Sequence, residues 1–226
     1  MKRIYTLSII LFFTCLIFAT DNDNDTTISK THPFAYNGYQ GGMMFHIGYV
    51  QSRQFQFNDL QGNPIGEPMQ LKGLETGIGG ALRVGFGKYL RVGIEGYVST
   101  HKYGPNANSA KVGWGGLLLD SHWHINKWTI FAGGVVGGGS YSHISLINKE
   151  NINPEDNKDD DFVIENQNIL YRNYPFATIV PFVGAEYSLT KRISLVAKID
   201  YMLNLSNWED DYMHGPRFFL GIMFGR

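Results

Sequence analysis

Residues 179–203 read Ile179-Val180-Pro181-Phe182-Val183-Gly184-Ala185-Glu186-Tyr187-Ser188-Leu189-Thr190-Lys191-Arg192-Ile193-Ser194-Leu195-Val196-Ala197-Lys198-Ile199-Asp200-Tyr201-Met202-Leu203. One parity is apolar on both sides of Thr190-Lys191-Arg192: Ile179, Val183, Ala185, Tyr187 and Leu189, then Ile193, Leu195, Ala197, Ile199, Tyr201 and Leu203. Glu186, Lys198 and Asp200 fall on the other parity. A period of two sends alternate side chains to opposite faces of a strand. The segment therefore predicts two antiparallel strands joined by a short turn, with one greasy face and one ionic face.

The same alternation recurs at Phe45, Ile47, Tyr49; at Ile78, Leu82, Val84, Phe86; at Leu90, Val92, Ile94, Val98; and at Leu117, Leu119, Trp123. It continues at Trp128, Ile130, Ala132, Val136 and at Phe218, Leu220, Ile222, Phe224. With the opening pair, that predicts eight strands. Their opposite parity carries Arg83, Arg91, Glu95, Asp120, Glu186, Lys198, Asp200 and Arg217, four basic and four acidic, and many glycines. Alternation alone fits a soluble sandwich equally well. The connections decide. Gly87-Lys88-Tyr89, Asn126-Lys127 and Thr190-Lys191-Arg192 are short, whereas Ser52 to Gly73, Thr100 to Ala110, Ser142 to Pro175 and Ser206 to Gly215 are long. Strict alternation of short turn and long loop places all short turns at one end, the pattern of an up-and-down transmembrane β-barrel with short periplasmic turns and long extracellular loops. Interfacial aromatics are expected at the turn end (Tyr89, Trp123, Trp128, Phe224) and the loop end (Tyr97, Trp114, Tyr141, Tyr201, Trp208).

Composition agrees. The 226 residues include 27 Gly, 14% aromatics and 17% charged residues, and 43% are hydrophobic, which excludes collagen and disorder. A formal charge of -1 gives no bulk attraction to nucleic acid, and one cysteine builds neither a disulfide framework nor a Cys-based zinc site. Met1 to Thr20 has the form of a secretory signal: Lys2-Arg3, an apolar run from Leu7 to Phe18, then Ala19-Thr20. Residues 21–37 form a polar leader, and 38–226 the barrel. The mature chain is expected to be exported, cysteine-free and mildly acidic.

Over roughly Gly38 to Arg226 the chain resembles the small eight-stranded outer-membrane barrels of the OmpA and OmpX type. The resemblance rests on this architecture, on Val183-Gly184-Ala185-Glu186-Tyr187-Ser188-Leu189-Thr190, and on the closing Phe218-Phe219-Leu220-Gly221-Ile222-Met223-Phe224. It departs from that family in ending Phe224-Gly225-Arg226 rather than on an aromatic residue. The resemblance implies residence in the outer membrane of a Gram-negative cell, with outer-membrane lipid and lipopolysaccharide as surroundings. It also implies a monomer, and loops that hold an extracellular protein or surface ligand. No wall-binding domain follows the barrel, so a wall-anchoring role is not expected.

An eight-stranded barrel is just wide enough for side chains to fill it. The eight inward charges are then expected to form a structural lumen network without an open pore, Arg83 pairing with Glu95 and Glu186 with Lys198 across tight hairpins. Asp120, His122 and His124 share a strand face, but alternate residues stand about 6.6 Å apart, too far to chelate a metal without a third element. Hydrogen bonding in the lumen is the plainer reading, and no cofactor is expected. Ser121 and His122 point to opposite faces and cannot act as nucleophile and base, so no catalytic residues are assigned. The stretch Asn148 to Asp161 contains Glu155, Asp156, Asp159, Asp160 and Asp161 but lacks a calcium-loop signature, which favours a solvated loop. Phe162-Val163-Ile164, Ile169-Leu170-Tyr171, Phe55, Phe57, Met69 and Leu71 look strand-like, so strands are expected to project beyond the membrane. Projecting edges offer unpaired backbone to an adhesion-type partner. Two alternatives remain: a secreted soluble lipocalin-like barrel with the apolar parity inside around a small apolar ligand, and an outer-membrane lipid-modifying enzyme.

Overall fold

Asn126 has a φ of 57°, the left-handed conformation that a two-residue hairpin turn demands, and Ile125 pairs directly with Trp128 across it. Gly87, at φ 60°, does the same for the turn before Leu90. These tight reversals make consecutive strands neighbours. In the computed structural model, which describes residues 35–58, 64–103, 108–146, 163–165, 169–206 and 212–225, the elements in chain order are β1 (Tyr36–Asn58), β2 (Pro64–Phe86), β3 (Leu90–Tyr103), β4 (Asn108–Ile125), β5 (Trp128–Leu146), β6 (Val163–Glu165), β7 (Ile169–Ser188), β8 (Ile193–Tyr201), β9 (Leu203–Asn204) and β10 (Pro216–Gly225). The expected signal segment, most of the leader, the acidic stretch Asn148 to Asp161, and Trp208 lie outside the described residues.

The ring runs β1-β2-β3-β4-β5-β7-β8-β10, and β10 pairs with β1 to close it, every neighbour antiparallel. The chain is an eight-stranded up-and-down transmembrane β-barrel. β9 continues the β8 wall in the same register along β7. The interruption falls where that register sets Tyr201 opposite Pro181, which has no N–H to donate.

Which face is outside follows from exposure. Leu117 is 70% exposed, Val183 58% and Ile94 56%, and Leu82, Ile130, Leu195, Leu220 and Phe224 share this outward belt. Arg83 is 0% exposed and Lys198 1%, although a charge left in water has no reason to hide. A soluble barrel would reverse the two sets. The lipocalin-like alternative is therefore overturned: its apolar ligand cavity would have to be lined by residues that face outward.

Strands project past the membrane as expected, through the stretches read as long connections: β1 and β2 are each 23 residues long, whereas about 9–11 cross a bilayer. Their cross-strand pairs continue to Asn58 and Pro64, as do those of β5 and β7 to Leu146 and Ile169. One expectation needs correction: Tyr97, Trp114 and Tyr141 are not interfacial, because each is buried on the inward parity. Position along the strand suggested the interface, but parity decides the face.

Candidate functional site

The lumen is built in layers. Nearest the short turns, Glu186 on β7 accepts hydrogen bonds from Arg83 Nη1 on β2 (2.9 Å), Arg91 Nη1 on β3 (2.9 Å) and Gln40 Nε2 on β1 (3.1 Å). Arg91 Nε donates to Asp120 Oδ1 on β4 at 2.7 Å, and its Nη1 also donates to the Gln40 amide oxygen at 3.0 Å. Higher up, Lys198 on β8 binds the Glu95 carboxylate on β3 and lies 3.4 Å from Asp200, which accepts from Arg217 Nε on β10 at 2.8 Å. Arg83 joins the two layers, 3.7 Å from both Glu95 and Asp120.

Each cation also lies over a ring. Arg83 and Arg91 sit 4.7 and 5.1 Å from the centre of Phe131, Lys198 is 4.1 Å from Phe219, and Arg217 is 5.1 Å from Trp114. An aromatic face attracts a cation most when water is absent. All eight charged residues named from the sequence are thus buried in the barrel interior. Of the two hairpin pairs, Arg83 and Glu95 approach to 3.7 Å, whereas Glu186 and Lys198 take other partners. In a narrow barrel the far wall is as close as the neighbouring strand, and long side chains span it.

Sequence reasoning missed Glu75, buried on β2, and the aromatic members Phe131 and Phe219. Continuing the Arg83 parity backwards along β2 reaches Glu75, but the segment before Gly73 has the look of a loop. Gln40, which bridges Arg91 and Glu186, carries no charge to draw attention.

Above the ionic layers apolar and aromatic side chains join buried Glu75, His101 and His143. Val50, Leu71, Val112, Tyr141, Phe176, Tyr212 and Met213 are all buried in the loop-end half, with Tyr141 stacked on Tyr174 at 5.0 Å and Phe176 edge-on to Tyr212 at 5.5 Å. His46 Nε2 lies 2.8 Å from Ser99 Oγ, a serine–histidine contact that alternation alone does not reveal. Its Nδ1 has no hydrogen-bond partner, and both residues are buried. The contact therefore lacks the orienting acid and the substrate access that nucleophilic catalysis needs. Asp120 is engaged by Arg91, and the His122 and His124 rings meet edge to face at 5.0 Å. Among the described residues no three His, Cys, Asp or Glu side chains gather at a spacing suited to a metal.

On the outside, just above the belt at the loop end, Lys72, Lys102 and Lys111 are exposed on β2, β3 and β4. Leu74 lies two residues from Lys72, and Thr100, two residues from Lys102, pairs with Lys111. The three form a diagonal row on one face of adjacent strands. Higher still, Gln51 and His214 form the last bridge between β1 and the β10 side, so beyond it no described strand pairs with that edge of β1. Among the described residues β6 pairs with β7 alone.

No family model and no curated protein matches the sequence. Among solved structures the fold is similar to Neisserial surface protein A, at 12% identity and a TM-score of 0.46, covering 83% of this chain and 95% of that one. It is also similar to the outer membrane protein OprG from Pseudomonas aeruginosa, at 10% identity and a TM-score of 0.46, covering 82% and 96%. A third is Ail, the attachment invasion locus protein of Yersinia pestis, at 13% identity and a TM-score of 0.37, covering 82% and 99%.

Proposed function

We propose that the chain is an integral outer-membrane barrel with no open pore and no enzymatic activity, whose loop-end crown contacts surface ligands. One observation carries the membrane reading: the apolar parity faces outward around the whole ring while five acidic side chains, Glu75 among them, and four basic ones are buried inside. In lipid every backbone group must be paired within the protein, and only a closed sheet or a helix meets that condition. An export signal over residues 1–20 fits a barrel of this kind that reaches the outer membrane of a Gram-negative cell, and in this reading it acts there as a monomer. The short turns then face the periplasm. The row Lys72, Lys102 and Lys111 falls where the phosphates of outer-leaflet lipopolysaccharide would lie, and Lys is a compact charge suited to phosphate. The extension of β1, β2, β5 and β7 well past the belt supports the adhesion-type role, since it carries strands to a level where an extended partner segment can dock.

Envelope fractionation tests the first part. The protein should enter the outer-membrane fraction and show heat-modifiable gel migration; recovery in soluble periplasm would refute it. For the second part, cells carrying the protein should bind immobilised extracellular-matrix proteins. Deleting Asn148 to Asp161 together with residues 59–63 should abolish that binding. Unchanged binding would remove the crown from the account.

A further inference from the structure

The short-turn mouth of the barrel is a cavity of about 480 Å³ whose lining, among the described residues, contains Arg83, Arg91, His122, His124, Lys127, Lys191 and Arg192 and no Asp or Glu. The described side chains that line it therefore carry charge of one sign. At its inner end Arg91 is 5% exposed, and its Nη2 has no hydrogen-bond partner even though Nε and Nη1 are fully engaged. His122, 4% exposed, likewise has an unpartnered Nδ1. A buried polar group without a partner is costly, because the lost hydration is not replaced. Arg217 Nη2 is in the same state deep in the lumen; what sets Arg91 and His122 apart is that both line one cavity, and Lys127, Lys191 and Arg192 line the same cavity from the Asn126-Lys127 turn and the β7–β8 turn.

We propose that this vestibule is a binding site for a phosphate group, either on a soluble phosphomonoester or on a lipid headgroup. A phosphate brings close to two negative charges and three strong acceptor oxygens, enough to satisfy the fixed fork of Arg91 and the flexible cations at the rim together. The ionic layer behind it makes the guanidinium rigid: Asp120, Glu186 and Gln40 hold Arg91 from within, leaving Nη2 for a ligand. The site is independent of what the crown binds. Only its compartment, the periplasm, rests on the proposed membrane orientation.

The test uses the folded full-length barrel and three probes: inorganic phosphate, glycerol 3-phosphate, and phosphatidic acid doped into nanodiscs of zwitterionic lipid. Titration calorimetry should show saturable one-to-one binding. Replacing Lys127, Lys191 and Arg192 together by Ala should weaken it at least about tenfold, and Arg91→Lys should weaken it further where that variant folds. The rim triple is exposed, so its folding does not depend on the lumen network. Saturation by either soluble probe assigns a solute, and saturation by the doped lipid alone assigns a headgroup; both sustain the site. No saturable binding with any probe, or undiminished binding in the rim triple, overturns it.

Discussion

Arg83 on β2 and Glu186 on β7, separated by 103 residues in sequence, meet across the lumen at 2.9 Å with both side chains buried. The contact ties opposite walls of the ring, so it can form only once the sheet has closed. Glu186 also neutralises Arg91. Replacing it by Gln keeps the shape but removes the carboxylate nearest Arg83 and one of the two that hold Arg91, and removing one partner of a buried ion pair typically costs about 3–5 kcal/mol. In urea titrations of the protein refolded in lipid vesicles, Glu186→Gln should lose about that much. Combining it with Arg83→Met should restore part of the loss, since apolar replacement of a whole pair is often near neutral. A single variant as stable as wild type would mean that the lumen is wet and its charges are hydrated.

The outward belt makes a prediction that depends on depth. Ile94 lies near the middle of the apolar run of β3, while Leu195 stands two residues from the short-turn end of β8. Arg at the bilayer midplane costs about 2–4 kcal/mol, falling to about 0–1 near an interface. Ile94→Arg should therefore refold poorly in vesicles and Leu195→Arg nearly normally, read from the folded band on unheated gels. Equal yields for the two would be incompatible with a lipid-facing belt.

The outward placement of Ile94 and Leu195 is legible in the amino-acid sequence, because alternation fixes parity and parity fixes the face. What stays hidden there is what parity does not encode. Gln40 and Phe131 are neutral, and their importance comes from strands that approach only after closure. Lys198 finds Glu95 rather than Glu186 because distance across a narrow tube does not follow sequence order. The crown is hard to read in the sequence for a related reason: Gly73, with φ of 148°, and the register shift between Gln51 and Gln54 blur the alternation that would extend β1 and β2.

Closure in series predicts electrical silence. The ionic groups around Arg83 and Lys198 and the aromatic groups around Tyr141 and Phe176 are buried inside the ring at successive levels, and on the proposed reading an ion would have to displace all of them. Purified protein in planar bilayers should give no steady single-channel current. Tyr141→Ala should still give none, because the ionic layers below it remain intact. Steady currents from the wild type would exclude the plugged lumen.

Gly113 and Gly139, close together across the β4–β5 pairing, should respond oppositely to the same change. A Cβ on Gly113 meets nothing within 4 Å, since that position faces outward from the curved wall. On Gly139 it would lie 1.9 Å from the Gly113 carbonyl oxygen and 2.7 Å from Trp114 Cα, both backbone atoms that cannot move without disturbing the β4–β5 ladder. Gly113→Ala narrows the unfolded ensemble without strain and should raise stability by up to about 1 kcal/mol. Gly139→Ala forces the strands apart and should lower it by roughly 1–3 kcal/mol, the usual cost of overpacking. Guanidinium unfolding in the same lipid, followed by tryptophan fluorescence, measures both shifts. If Gly139→Ala proves neutral, the wall there is less tightly curved than the backbone contacts require, and the glycines of β5 would serve some purpose other than close packing.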